Sequence, residues 1–420
     1  MNTPSVLPQA LDDIVVVEFA AFAAGPCIGK YLANHGAFVA KVESHSRPDG
    51  FRAHYPPFKN NQKGVNRSGV FAMNNDGVRS IGINLKIPAG LDIARKLASK
   101  ADVVIENFTP GTMKRLGLGY EELSKANPRL VMLSTCNLGQ TGPRAQHPGF
   151  GSQLTSLSGF THLIGESNRN PVIAYGPYID YIAVGFGYIA ILAALEYCRR
   201  TGHGQYIDLS QYEGGVHFVA PAILESQLLG TICTRQGNRH SVAAPHAVYR
   251  CAEPDSWCAI SVFDDAEWSR LASAMGDPEW ARSQRFATQL GRKQNEAELD
   301  ALLAQWTRRQ DPARVMERLQ EAGVHAAKVL NVAELYEDSQ LAHRNFWGEV
   351  VQQEVGPHHV ENPAFHLSRT PHMPPQPDPL LNEHTDRVLE RLLGLTKDQI
   401  DQLAAAGAVE RPLTGGRATE

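Results

Sequence analysis

The first half of the chain alternates patterns of buried strands with patterns of helices, and this alternation restricts the fold more than any other feature. The first strand pattern is "IVVVEF" (14–19), a continuous apolar run typical of a strand that is buried on both faces. A helical segment follows, for which Pro26 suits the start and Gly36 the end. A second strand pattern, "AFVAKVE" (37–43), then completes a βαβ unit.

The same alternation continues to about residue 211. Strand patterns follow at 80–86, 102–108, 129–137 and 205–211, with helical patterns between them. The longest helical pattern, 180–200, precedes the last strand. Strands that alternate with helices form parallel sheets, because each helix returns the chain to the edge from which the previous strand started. We therefore predict an α/β fold with a Rossmann-like open parallel sheet.

After about residue 230 the pattern changes. Two short strand patterns flank a polar turn within 244–263, and three helical segments follow. Two amphipathic helical patterns, "NEHTDRVLERLLG" and "TKDQIDQLAAAGAV", lie near the end of the chain. We predict a large Rossmann-like domain at 1–225, a smaller α+β domain at 226–330 and a C-terminal segment at 331–420 that returns to the large domain.

Composition argues against several partners and locations. The 40 basic and 44 acidic side chains give a formal net charge of −4, which provides no reason to expect nucleic acid or a membrane surface as partner. The N-terminus has no secretory signal pattern, and we interpret the apolar run 182–195 as too short to span a bilayer. The six cysteines form no Cys-x-x-Cys motif, which favours buried free thiols. We expect a cytoplasmic protein.

Motifs for nucleotides and metals are missing from the sequence. "AAFAAGP" stands where a dinucleotide-binding G-x-G-x-x-G would follow the first strand, and there is no P-loop. Neither His358, His359 and His366 nor His240 and His246 have the spacing of a zinc site. We expect no metal and no tightly bound cofactor.

One carboxylate, Asp180, stands among tyrosines, glycines and aliphatic residues in "YGPYIDYIAVGFG". Two interpretations remain open from the residues alone. Asp180 could cap the helix N-terminus after the turn that Gly176 and Pro177 supply. Alternatively it is a nucleophile, which the positive end of the helix dipole keeps ionised and which apolar neighbours keep poor in water.

Five longer stretches share the patterns of one known family: "VVVEFAAFAAGP", "HGAFVAKVES", "NLKIPAGLDIARKLASKADVVIENFTPGTMKRLGLGYEELSKANPRLVMLS", "GYIAILAALEYCRRTGHGQYIDLSQYEGG" and "PLLNEHTDRVLERLLGLTKDQIDQL". Together they resemble the class III CoA-transferases, the formyl-CoA transferase-like family of CaiB/BaiF type, and the resemblance extends over nearly the whole chain. The resemblance implies an acyl-CoA substrate and an interlocked dimer. It also implies that CoA enters as a substrate.

The resemblance places the nucleophile of this family on Asp180, which forms an anhydride with the donor acyl group and then a thioester with CoA. Backbone amides and a mobile glycine-rich loop bind the oxyanions in the family. The same resemblance places contacts to CoA at Phe22, Ala23, His45, Arg79, Asn107, Phe108 and Arg115. A strand-end turn for Asn107 and Phe108, and an exposed helix charge for Arg115, are the alternatives.

The chain departs from the formyl-CoA transferases at several positions. Ala23 stands where they carry Gln, Gly151 where they carry Glu, His45 where they have a basic residue after the KVE motif, and Val78 where a lysine precedes the third strand. The stretch 236–246 also has no run of glycines. Formate and oxalate are therefore poor substrate predictions.

Aromatic residues instead predict a roomier acyl pocket, although packing in the core is an equal interpretation of each: Phe51, Tyr55, Phe58, Phe150 and Tyr178. We expect succinyl-CoA as donor and an aromatic or substituted succinate as acceptor.

Two alternatives share the fold. An α-methylacyl-CoA racemase needs acid/base groups on both faces of the α-carbon, and it keeps a "GHD" triplet where this chain has "GFG", Gly149–Gly151. A subunit of a heteromeric enzyme, as in succinyl-CoA:benzylsuccinate CoA-transferase, would have a limited catalytic role of its own. We therefore expect either a homodimer or a heterodimer with a paralogous subunit.

Overall fold

The computed structural model describes residues 8–413 and divides into two compact units. The first unit contains the described residues up to Phe160, then Ile173–Leu229, then the described residues from Gln340 onward. The second unit contains Thr161–Val172 and Gly230–Ser339. From the sequence we expected boundaries after residues 225 and 330. In the structure the chain passes into the second unit after Leu229 and returns to the first unit after Ser339. The short segment Thr161–Val172, expected in the large domain, belongs to the second unit.

The strands, in chain order, are β1 (Val15–Phe19), β2 (Phe38–Glu43), β3 (Arg79–Ile83), β4 (Val103–Glu106), β5 (Val131–Cys136), β6 (Tyr206–Ser210), β7 (His246–Arg250), β8 (Trp257–Ser261), β9 (His325–Lys328), β10 (Trp347–Gln352), β11 (Gly356–Glu361) and β12 (Val409–Glu410).

The α-helices are α1 (Ala24–Asn34), α2 (Gly50–His54), α3 (Gly69–Asn75), α4 (Pro88–Lys100), α5 (Thr112–Arg115), α6 (Tyr120–Ala126), α7 (Gly151–Leu157), α8 (Phe160–Leu163), α9 (Tyr178–Thr201), α10 (Gln211–Phe218), α11 (Ala220–Leu229), α12 (Asp265–Ala274), α13 (Gln289–Gln294), α14 (Glu296–Thr307), α15 (Pro312–Glu321), α16 (Ser339–His343), α17 (Thr385–Leu393) and α18 (Lys397–Ala405). Short 3-10 helices occur at Lys59–Asn61, Glu279–Arg282, Gln284–Phe286 and Glu334–Tyr336.

The main sheet of the first unit has the strand order β12-β3-β2-β1-β4-β5-β6. Its strands run parallel, except that β12 pairs antiparallel with β3. Val17 of β1 lies opposite Ala40 of β2 on one side and Val104 of β4 on the other. The strand order reverses between β1 and β4, and in open α/β sheets such a point leaves a crevice at the carboxyl ends of the strands. The predicted α/β fold with a large parallel sheet is confirmed.

Helices cover both faces of this sheet, because alternate residues of each buried strand point to opposite faces. Val16 and Val103 belong to an apolar core with Ile28 of α1 and Ile191 of α9. The alternate residues of the same strands belong to a second core, with residues of α4, α6, α17 and α18. The continuous apolar strand patterns therefore reflect burial on both sides.

The helix α9 is longer than its apolar run indicated. It has 24 residues and is long and apolar enough, by length and composition alone, to cross a membrane. The expectation that the segment is too short was therefore wrong. Its inner face nevertheless packs as a core helix does, with Val184, Ile191 and Ala194 buried against α1 and the sheet.

The second unit is built around a three-stranded antiparallel sheet in the order β7-β8-β9. Residues of the sheet and of α12, α14 and α15 enclose its core, in which Trp268, Tyr249 and Phe286 are the largest buried side chains. The unit thus combines an antiparallel sheet with helices. The hairpin β10–β11 belongs to the first unit.

Candidate active site

The carboxyl ends of the parallel strands bring together most of the residues that the sequence singled out. Phe22 and Ala23 follow β1, His45 follows β2, and Asn107 and Phe108 follow β4. These positions lie at the edge of the sheet that contains the crevice between β1 and β4.

Arg79 does not join this group. It is the first residue of β3, at the opposite edge of the sheet, and its guanidinium lies 4.4 Å above the ring of Phe38. Burial, with Arg391 and Arg387 nearby, lowers the pKa of Arg79.

The loop after β1, residues 20–23, is held by side chains from two other strand ends. The side-chain amide of Asn107 donates to the carbonyl of Ala21 (2.6 Å) and accepts from the backbone N–H of the same residue (2.9 Å). Asp49 accepts from the backbone N–H of Phe22 at 3.0 Å. Phe22 has a φ of 65°, a left-handed conformation that is uncommon outside glycine. These hydrogen bonds fix a backbone shape that the sequence does not itself favour.

A fully buried ion network lies beneath this loop. Lys41 Nζ contacts Glu18 Oε1 at 2.7 Å, Asp49 Oδ2 at 3.0 Å and the carbonyl of Ala20 at 2.7 Å. Burial alone would lower the pKa of Lys41, but the two carboxylates outweigh it and raise that pKa. Because Asp49 also binds Phe22, Lys41 supports the loop through a buried charge.

Glu43, the last residue of the "KVE" stretch, also holds Asp49 in place. Its carboxylate accepts from the backbone N–H of Asp49 (3.0 Å) and pairs with Arg52 Nε (2.9 Å). The Arg52 guanidinium lies 3.5 Å above the ring of Phe71. Lys41 and Glu43 therefore position Asp49 from two sides.

Three of the aromatic residues named for the acyl pocket surround Phe22 of this loop. The ring of Phe22 has edge-to-face contacts with Phe51 (5.6 Å), Tyr55 (6.1 Å) and Phe150 (6.1 Å). Phe150 is 59% exposed, so this group presents an apolar surface rather than a sealed core. Tyr178 packs instead against Phe160 (5.7 Å).

Asp180 is the third residue of α9, whose N-cap is Pro177. The cap interpretation was therefore wrong, since a capping residue precedes the first turn. The backbone N–H of Asp180 donates to the carbonyl of Pro177 at 3.0 Å.

Burial raises the pKa of the Asp180 carboxyl to about 6, while hydrogen bonds from its own backbone amide and from the Gln211 side chain oppose the rise. From the sequence we expected the helix end to favour the ionised form of Asp180; loss of water has the larger effect on its pKa here. At neutral pH the carboxyl is still mostly ionised, and it is more basic than an ordinary aspartate.

Gly151, the first residue of α7, lies directly against this carboxylate. A Cβ placed on Gly151 would be 1.9 Å from Asp180 Oδ2 and 3.0 Å from its Cγ. Because atoms cannot approach so closely, any side chain at position 151 would displace the carboxylate. The sequence marked Gly151 as a missing acid, whereas the structure shows that it makes room for Asp180.

Gln211 was missed from the sequence. It begins α10 directly after β6, is only 3% exposed, and donates a hydrogen bond to Asp180. Its Oε1 is buried without a hydrogen-bond partner among the residues that the structure describes. A polar residue at the end of a buried strand was the available signal, because such positions meet at the carboxyl edge.

Asn137 follows β5 and fixes the segment that leads to Gly151. Its side-chain amide donates to the carbonyl of Gly149 at 2.8 Å, and its own carbonyl accepts from the backbone N–H of Tyr212 at 2.9 Å. The segment 149–151 and the start of α10 are thereby joined beside Asp180.

The remaining predicted contacts make local interactions. The backbone N–H of His45 donates to Glu410, and its Nε2 lies 3.0 Å from the carbonyl of Arg411. Phe108 packs against the core, and the exposed Arg115 donates to Thr112 at 2.7 Å. Their contact with CoA stays a prediction.

A sheet that opens at its carboxyl edge, with a partly desolvated carboxylate among apolar and glycine neighbours, is an arrangement typical of the site of an α/β enzyme. Residues 11–385 match the model of CoA-transferase family III. The chain belongs to this family, as the sequence predicted, and is a CoA-transferase.

Three similar proteins illustrate the relationship. The succinyl-CoA–D-citramalate CoA-transferase of Chloroflexus aurantiacus is 36% identical over 401 residues, covering 95% of this chain and 98% of the relative. The β subunit of the succinyl-CoA–L-malate CoA-transferase of the same organism is 31% identical, covering 96% and 98%. A crystal structure of a CaiB/BaiF family protein from Brucella suis is 31% identical, covers 92% of this chain and all of that one, and has a TM-score of 0.84.

Proposed function

We propose that the protein transfers CoA from succinyl-CoA to a carboxylic acid through covalent intermediates on Asp180. The observation that carries this proposal is the carboxylate of Asp180, which is desolvated enough to raise its pKa to about 6 and lies against the bare backbone of Gly151. A carboxylate with little water and an open face can attack an acyl carbon. Both Chloroflexus relatives carry succinyl-CoA in their names, which supports the donor.

The first half of the reaction moves CoA onto the enzyme. A carboxylate oxygen of Asp180 attacks the thioester carbon of the donor, the C–S bond breaks, and CoA leaves as a thiolate. The thiolate then attacks the Asp180 carbonyl of the resulting anhydride. The donor acid leaves as a carboxylate, and an aspartyl-CoA thioester remains.

The second half runs the same steps in reverse with the acceptor. The acceptor carboxylate attacks the aspartyl thioester and expels CoA thiolate, giving a second anhydride. The thiolate attacks the acceptor acyl carbon, and Asp180 leaves as a carboxylate. No proton is gained or lost overall, so the cycle needs no general acid or base.

Gln211 positions the carboxylate between these steps. Its amide donates to Asp180, and the hydrogen bond lowers the pKa of that carboxyl against the effect of burial. The attacking oxygen is thereby directed, while the carboxyl stays ionised at neutral pH.

We assign CoA itself, as a substrate rather than a tightly bound cofactor, to the crevice between β1 and β4. Phe22, Ala23, Asn107 and Phe108 border it. His45 and Arg115 remain candidates for its phosphates, because both are exposed at the same edge. Arg79 is left out of this assignment because of its place at the other edge.

An aromatic or substituted succinate is the acceptor that the aromatic group favours. Phe22, Phe51, Tyr55 and the exposed Phe150 offer edges and faces to an apolar substituent.

A second subunit, identical or paralogous, is proposed to cover the exposed apolar side of α11. Leu224, Leu228 and Leu229 are all more than half exposed there, and Ile189 of α9 is 66% exposed. Exposed apolar residues in such density mark interaction surfaces. The named β subunit among the relatives supports a heteromeric arrangement as one form. We further propose a cytoplasmic location, where acyl-CoA substrates are available.

The proposal is tested by a transfer screen. The purified protein is incubated with succinyl-CoA or acetyl-CoA and a panel of carboxylic acids, and new thioesters are detected by mass. We expect succinyl-CoA to support transfer and Asp180→Ala to abolish it without unfolding the protein. Full transfer by Asp180→Ala, or rapid deuterium exchange at the α-carbon of a 2-methylacyl-CoA, would overturn the assignment.

A further inference from the structure

A cavity of about 190 Å³ opens beside the candidate active site. Asn137, Gly149 and Gln153 line one side of it, Leu157 adds apolar surface, and Arg144 and His147 provide cationic and titratable groups. Of the described residues that line it, none is acidic. A water molecule takes about 30 Å³ of liquid, so the cavity has room for a carboxylate and neighbouring methylene groups.

Arg144 is the charged group of this cavity. Its guanidinium lies 5.8 Å from the centre of the Tyr212 ring, and it makes no ion pair with any residue that the structure describes. The exposed Arg199 of α9, by comparison, pairs with Glu196 at 2.8 Å. A guanidinium without a carboxylate partner, in a cavity without acids, favours an anionic ligand, and its planar fork suits a carboxylate.

The cavity is connected to Asp180 through two short stretches of backbone. Gly149 lines the cavity, and Gly151, two residues on, lies against the Asp180 carboxylate. Two residues span at most about 7 Å. Tyr212, under Arg144, directly follows Gln211, which donates to Asp180. The cavity that Arg144 lines and the Asp180 carboxylate are therefore joined through neighbouring backbone on both sides.

We propose that Arg144 binds the non-reacting carboxylate of a dicarboxylic substrate while the other carboxyl group exchanges CoA at Asp180. This inference rests on the proposed function and specifies its substrate class. Succinyl-CoA has a free carboxylate at the end remote from its thioester, and a dicarboxylic acceptor has a second carboxylate that does not react. Both donor and acceptor therefore use the subsite in turn. Arg144 is thereby a specificity-determining residue.

The test compares dicarboxylate and monocarboxylate acceptors of equal length. The ratio of kcat/KM for glutarate to that for valerate is measured, with succinyl-CoA at a fixed concentration, in the wild type, Arg144→Gln and Arg144→Lys. We expect the ratio to fall roughly 10- to 100-fold in Arg144→Gln, because a charge-assisted hydrogen bond is lost. Arg144→Lys should keep an intermediate ratio, since it retains the charge without the fork.

Arg200→Gln is the matched control. Arg200 is exposed at the far end of α9, about 30 Å from Asp180, and its loss should leave the ratio unchanged. The inhibition constant of free CoA is measured in the same variants. An unchanged substrate ratio in Arg144→Gln would overturn the proposal. So would an equal weakening of free CoA, which would assign Arg144 to a CoA phosphate.

A measurement on the wild type avoids dependence on any variant. Phenylglyoxal modifies accessible arginines, and peptide mass spectrometry reports the modification of Arg144. Glutarate should protect Arg144 where valerate does not; equal modification with both acids would contradict the subsite. A wild type that transfers CoA to no acid would instead contradict the proposed function.

Discussion

The two sides of the candidate active site differ in how their polar groups are used. On the side of the β1 loop, Lys41, Glu18, Asp49 and Asn107 are buried or half-buried and bind one another or the loop backbone. On the side of Asp180, a carboxylate is partly stripped of water, Gln211 Oε1 has no described partner, and Arg144 makes no described ion pair.

The two sides therefore have different roles: the polar groups beside the β1 loop support the backbone, and those beside Asp180 are available to a substrate. The charges of Lys41, Glu18 and Asp49 are paired and closed off from solvent, so they fix a backbone shape and cannot reach a substrate. Polar groups whose demand is unmet within the protein are available to reacting atoms. We therefore expect variants on the first side to change stability, and variants on the second side to change rates with little change in stability.

The largest effect is expected from Lys41→Met. It leaves Glu18 and Asp49 buried without their cation and should lower the free energy of unfolding by about 3–5 kcal/mol. Burial raises the pKa of Glu18 and Lys41 opposes this rise, so without Lys41 the native Glu18 binds a proton at higher pH than in the unfolded chain, and the loss should be smaller at pH 5 than at pH 8. Urea unfolding at both pH values measures this. Lys96→Met, which removes an exposed pair with Asp92, is the control and should change stability by less than about 1 kcal/mol. Equal effects of the two variants would contradict the supporting role.

Gly151→Ala tests the opposite side. The new methyl group would overlap Asp180 Oδ2, so the carboxylate must move, and kcat should fall on the order of 100-fold. Gly185→Ala is the matched control, because a Cβ there meets no atom within 4 Å and the position lies within α9. It should retain activity and gain slightly in stability, by about 0.5–1 kcal/mol. Similar kcat values for both alanine variants would show that Asp180 does not need its observed position.

The smallest effect is a shift in pH dependence. For the wild type, kcat/KM for the donor should fall as the pH drops through about 6, because protonated Asp180 cannot attack. Gln211→Leu removes a hydrogen bond that favours the ionised form, so the acid limb should move upward by roughly one pH unit. Gln402→Leu, on the exposed face of α18, should leave the profile in place. If the acid limb of the kcat/KM profile of Gln211→Leu stays where it is in the wild type, Gln211 does not position the Asp180 carboxylate.

The strands of the main sheet were predictable because a strand buried on both faces has consecutive apolar residues in its sequence, as in 15–17 and 131–133. The short edge strand β12 was not predicted, since two residues carry no periodic pattern and its pairing with Ile83 is distant in sequence. Asp180 was found from its unusual surroundings and from the family resemblance together.

The details of the site depended on contacts between distant segments. Gly151 and Gln211 lie far from Asp180 in sequence, and only the packing of α7 and α10 on α9 brings them beside its carboxylate. The direction of the Asp180 pKa depended on the balance of burial and hydrogen bonding, which a helix-end argument alone cannot supply. Arg79 was grouped with the CoA contacts by resemblance, but its position at the amino end of β3 depends on where that strand begins.

We have proposed that Asp180 carries CoA as a thioester during turnover. The most direct measurement adds hydroxylamine to the enzyme with succinyl-CoA and no acceptor, and then determines the mass of the peptide that contains Asp180. We expect a hydroxamate on Asp180, formed only in the presence of the acyl-CoA, together with loss of transfer activity. An unmodified Asp180 peptide from enzyme that is turning over would contradict the covalent route.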